Sequence, residues 1–123
     1  MNAFFLNELG IACALGRDAE EVAAALFADD APHGVAMSDA ITGLPTSLGL
    51  VPGALPSLDD VPVALRGRNN QLLRLALAPL RAAVAAAVER HGADRVAVVL
   101  GSSTSGVGES EAAHRHLLAH GTW

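Results

Sequence analysis

The residues with most chemical potential form one loop, Gly101-Ser102-Ser103-Thr104-Ser105-Gly106, directly after the apolar run 96–100. Hydroxyls and glycines in that setting suit a phosphate, a nucleophile or a plain turn. A P-loop needs Lys and then Ser or Thr after its second glycine, so that an ammonium meets the terminal phosphates and a hydroxyl meets magnesium. Val107 and Gly108 stand there instead. A dinucleotide loop counted from Gly106 requires a third glycine where Glu111 stands, and a carboxylate would repel the pyrophosphate. A nucleophile elbow requires Gly-x-Ser-x-Gly, whereas the stretch from Gly101 ends in Ser105. Two readings survive. In one, glycine lets the chain leave a strand sharply while Ser or Thr caps the next helix. In the other, the loop is a backbone-lined pocket wall at the carboxyl end of a strand, where open α/β sheets bind ligands.

His114, His116 and His120 form the other cluster, with His116 and His120 one helical turn apart. Zinc needs a third protein ligand, and Glu109 and Glu111 are only loosely placed for it, so the cluster reads as solvated surface and no metal is assigned. As bases these histidines lack a nucleophile and a supporting carboxylate in fixed order. Cys13, the single cysteine, can form neither an internal disulfide nor a multi-thiolate metal site and reads as a small buried hydrophobe. Glu20-Glu21 and Asp29-Asp30 read as helix-start and loop charges, and Asp59-Asp60 as a turn cap. No cofactor is implied.

These groups need elements to position them. Residues 3–11 read as a short strand and Cys13-Ala14-Leu15-Gly16 as a turn. Asp18 then caps a helix, Glu21 completes a capping box, and Val22, Leu26 and Phe27 give helical spacing to about residue 28. Residues 31–63 hold Pro32, Pro45, Pro52, Pro56 and Pro62, five of the six prolines, and predict an irregular excursion with a brief strand at 47–51. So long a connection is unusual in a compact domain unless it is functional or packs on something else. Residues 69–91 predict the longest helix. Its polar Gln71, Arg74 and Arg81 form a narrow stripe on an otherwise apolar circumference, which predicts a helix surrounded by protein. Pro79 should kink or divide it, and Gly92 should end it. Residues 96–100 read as a strand covered on both faces, and 110–120 as a helix stopping at Gly121. The order of elements is an α/β layout in a single domain spanning 1–123.

Composition narrows the function classes. The net charge is −5 and all eight basic residues are Arg, with only four aromatic residues in the chain. Nucleic-acid binding needs clustered cations or stacking rings, so that class is set aside. No uninterrupted apolar run approaches the ~20 residues that span a bilayer. The first residues lack a basic start followed by a long apolar centre, as a secretory signal would have. The expectation is a cytoplasmic protein without a membrane span.

The pieces together resemble a known family. Leu9-Gly10-Ile11-Ala12-Cys13-Ala14-Leu15-Gly16, followed by Asp18-Ala19-Glu20-Glu21, resembles the opening strand and turn of β-ketoacyl-acyl carrier protein synthases. Residues 74–87, then 95–106 with Gly101-Ser102-Ser103-Thr104-Ser105-Gly106, are similar to that family's buried helix, strand and Gly-Ser-x-x-x-Gly loop. The resemblance spans essentially the whole chain. It implies the N-terminal portion of a thiolase-like layered fold, in which two related α/β halves place helices between sheets, with a mixed sheet, a buried helix and the 31–63 excursion packed on the second half or on a partner subunit.

The resemblance also implies an activity: decarboxylative condensation of an acyl thioester with a malonyl unit on acyl carrier protein, in fatty acid, polyketide or polyene synthesis. The Gly101–Gly106 loop would line the acyl pocket with Thr104 at its gate. Arg66, Arg68 and Arg74 are candidate contacts for an acidic carrier protein, against a packing or solvated-surface role for each. The family's cysteine nucleophile and its two later histidines fall beyond Trp123, so these residues are expected to be an incomplete domain, inactive alone, with bare apolar faces that drive oligomerisation or poor solubility. The competing reading is a non-catalytic subunit or pocket-shaping module that pairs with a complete synthase. A remoter one is a small serine hydrolase using Ser103 or Ser105.

Overall fold

A computed structural model describes residues 5–30, 34–39, 43–101 and 107–122. In chain order these form α1 (Ala19–Leu26), β1 (Val35–Ser38), β2 (Thr46–Gly49), α2 (Arg68–Leu77), α3 (Arg81–His91) and α4 (Val107–His120), with short 3-10 turns at Val63–Leu65, Ala78–Leu80 and Ala93–Arg95. The architecture is mixed α and β. Among the described residues the sheet is one antiparallel hairpin, with Val35 opposite Gly49 and Ser38 opposite Thr46.

Local signals are obeyed closely. Cys13 and Gly16 exchange backbone hydrogen bonds of 2.9 and 3.2 Å, which closes the expected turn. Asp18 is the N-cap of α1 and its Oδ1 accepts from the Glu21 amide at 2.9 Å. The Glu21 carboxylate reaches back one residue further than a capping box prescribes, accepting from the Arg17 amide at 2.7 Å. Pro79 divides the long helix: α2 ends at Leu77, a 3-10 turn follows, and α3 restarts at Arg81. Gly92 (φ 87°) and Gly121 (φ 72°) end α3 and α4 in backbone conformations that side chains with a Cβ rarely adopt.

Signals that need a distant partner fare differently. The described part of the expected 3–11 strand, residues 5–11, forms no strand. Gly10 instead lies so close to α2 that an added Cβ would overlap the Ala76 carbonyl oxygen and crowd Leu80. Residues 96–100 form no strand either, because no neighbouring backbone among the described residues lies alongside to share hydrogen bonds; Val98 is 78% and Val99 92% exposed. The 31–63 excursion is more ordered than its prolines imply. It holds the β1–β2 hairpin, whose base rests on the Cys13–Gly16 turn through Gly34 against Ala14 and Leu15, and Gly49 against Ala14. Only β2 falls near the strand expected at 47–51. The last helix begins three residues earlier than expected, at Val107, and α1 stops at Leu26.

The core is slight. Among the described residues, Val22 at 9% and Leu58 at 6% exposure are the buried apolar side chains, and no residue of α2 or α3 is buried. The helix expected to be surrounded by protein is therefore bare along much of its length: residues 70–76 are half-buried, whereas most of α3 is exposed. The chain exposes 9975 Å², against about 6,200 Å² for a folded monomer of its mass. Arg68–His91 is also a 24-residue helical stretch whose most apolar window has a mean hydropathy of 1.4, long and apolar enough to cross a membrane, a property it shares with core helices of soluble proteins.

Two substitutions test this packing. Gly10→Ala should lower the urea midpoint, with an overpacking cost of about 1–3 kcal/mol against the Ala76 carbonyl. Asp18→Ala should remove the α1 cap at a cost of about 1 kcal/mol, read from the same unfolding curve. An unchanged midpoint for Gly10→Ala would show that residues 9–12 do not lie on α2.

Candidate functional site

Five of the residues singled out by the sequence, Asp59, Asp60, Arg66, Gln71 and Arg74, meet where the 56–61 segment lies along α2. Pro56 and the 3-10 turn at Val63–Leu65 bracket this segment, and Leu58 is its buried anchor. Ser57 and Asp59 tighten it, with the Asp59 amide donating to Ser57 Oγ at 3.1 Å and Ser57 Oγ donating to Asp59 Oδ2. The Val61 amide donates to the Leu58 carbonyl at 3.1 Å and closes the turn. Proline supplies no amide hydrogen and the segment pairs with no strand, so its carbonyls need donors from elsewhere.

Those donors come from α2 and from Arg66 just before it. Arg74 donates to both oxygens of Asp60, at 2.6 and 2.8 Å, and to the Ser57 carbonyl at 2.9 Å. Gln71, one turn earlier on the same face, donates to the Pro56 carbonyl at 3.1 Å. Arg66 donates through Nε to the Val61 carbonyl at 2.9 Å and through a terminal nitrogen to the Asp59 carbonyl at 3.0 Å, with an Asp59 carboxylate oxygen 3.8 Å away. Asn70 donates to the Leu65 carbonyl at 2.9 Å. Arg17, at the start of α1, does the same for Pro52 at 2.7 Å, beside Gly53 (φ 73°).

Arg66 and Arg74, two of the three candidate carrier-protein contacts, are thus engaged within the chain. Their guanidiniums hold backbone and carboxylate, the packing alternative weighed for them. Arg68, the third, lies exposed on the first turn of α2. The electrostatics follow the geometry. Hydrogen bonding from Arg74 holds the Asp60 carboxyl below its ordinary value, and the Asp60 carboxylate raises Arg74 in turn. Both side chains keep contact with water, so the pair's value is positional more than energetic.

A shallow groove opens beside this clamp, floored by Leu58, Leu73 and Leu77 and rimmed by Asp60, Arg74 and Arg81. Arg81, the third member of the polar stripe, thus borders the same feature. The pocket loop itself is described only at Gly101, which is exposed; Ser102, Ser103, Thr104, Ser105 and Gly106 lie outside the described residues. The histidines share α4. His116 and His120 stack with ring centroids 4.2 Å apart, and His120 Nδ1 lies 3.0 Å from the His116 carbonyl oxygen. Among the described residues no three His, Cys, Asp or Glu side chains gather as a metal site would require. Cys13 is half-buried in its turn.

Sequence reasoning found the stripe but not its use. Asp60 pairs with a residue 14 positions away and Arg17 with one 35 away, so no local spacing marks them. The usable signal was the coincidence of a proline-rich segment, short of its own donors, with a chain whose cations are all arginine.

Comparison with protein-family models, curated proteins and solved structures returns no match.

Asp60 gives the clamp a pH signature. A carboxylate whose folded pKa is depressed contributes stability that is fully present above its unfolded value of about 3.9. That contribution is lost as pH falls from there through the lowered folded value. Asp60→Asn should therefore reduce stability at neutral pH and flatten the loss on acidification, measured by urea unfolding from pH 7 down to pH 3. Arg74→Lys should reproduce most of the neutral-pH loss, because one ammonium cannot meet both carboxylate oxygens and the Ser57 carbonyl in the same geometry. A wild-type response in both variants would dismiss the clamp.

Proposed function

We propose that these residues are the opening portion of a condensing enzyme of the β-ketoacyl-acyl carrier protein synthase type, with the reacting groups supplied by polypeptide outside them. The enzyme would take an acyl group from a thioester onto a cysteine. Decarboxylation of a malonyl unit on the carrier protein would then supply the carbanion for carbon–carbon bond formation. The Gly101–Gly106 loop would border the acyl pocket. No group in this chain is assigned a catalytic role.

The observation that supports this reading is which segments are bare. In a layered fold of the kind the resemblance implies, the long apolar helix and the apolar strand after it are innermost. Here α2–α3 hold no buried residue and residues 97–100 are exposed. Segments that ought to lie deepest lack cover, while the polar clamp on α2 is complete. That clamp also favours a helix in a protein core over one in a bilayer, since Gln71 and Arg74 bind a polar segment across it. The enzyme would be cytoplasmic, with Arg66, Arg68 and Arg74 as its candidate contacts for an acidic carrier protein.

The bare faces also suit the second reading, a non-catalytic module that pairs with a complete synthase. One experiment separates the two. The coding frame downstream of Trp123 is read, and the full polypeptide is treated with an acyl thioester and mapped by mass spectrometry. The condensing-enzyme reading expects an open frame with a cysteine within some tens of residues, later histidines, and an acyl adduct on that cysteine and not on Cys13. A stop codon directly after Trp123, or a full polypeptide with no acyl-cysteine, would overturn it, and a stable complex with a separate synthase would then establish the module.

A further inference from the structure

We draw no further inference here: the strongest candidate, the groove beside α2 floored by Leu58, Leu73 and Leu77 and rimmed by Arg81, belongs to an unpartnered apolar face, and nothing in the structure shows what covers it.

Discussion

The guanidinium of Arg74 holds both oxygens of Asp60 and the Ser57 carbonyl at once. Around that fork the proline-rich segment is fixed to α2, and through Arg66, Gln71 and Asn70 the same helix and the turn before it satisfy four further carbonyls. A planar guanidinium suits this work because its donors are set in directions that one carboxylate and one carbonyl can share. An exposed ion pair contributes little stability by itself. What this one contributes is position: it seats Leu58, one of the two buried apolar side chains among the described residues, against the helix.

From that contact the remaining packing can be followed outward. Residues 9–12 cross α2 where Gly10 permits contact with the Ala76 carbonyl, and the Cys13–Gly16 turn then carries α1 on one side and the hairpin on the other. Beyond Pro79 the clamp has no counterpart among the described residues. There α3 and residues 96–100 present valine, leucine and alanine to solvent. The chain is well held at one end of its long helix and bare at the other. Burial of apolar surface, which drives folding more strongly than any other interaction, is therefore only partly realised.

The sequence was most informative where structure is decided within a few residues. The Asp18 cap, the Gly16 turn, the break at Pro79 and the stops at Gly92 and Gly121 each follow from local backbone chemistry. Of the expected strands, the one at 47–51 is met by β2 and the other two are not. Residues 5–11 and 96–100 have strand-like composition, yet a strand exists only beside another backbone, and the described residues offer them none. The apolar periphery of 69–91 correctly signalled a helix, and its burial is what the described residues do not supply. Of the candidate site, the local polar stripe at Gln71, Arg74 and Arg81 was legible, whereas its pairing with Asp60 and Ser57 depends on how the chain returns and is written in no spacing.

The central claim is that α3 and residues 96–100 are core elements awaiting cover. Sedimentation of residues 1–123 across a wide concentration range, with binding of an apolar fluorescent dye followed in parallel, tests it most directly. The claim predicts association that grows with concentration and strong dye binding, both abolished when the proposed second half or a partner subunit is supplied to cover these faces. A monomer at high concentration that binds no dye would contradict it, because such a chain must already bury the faces that are bare in this structure.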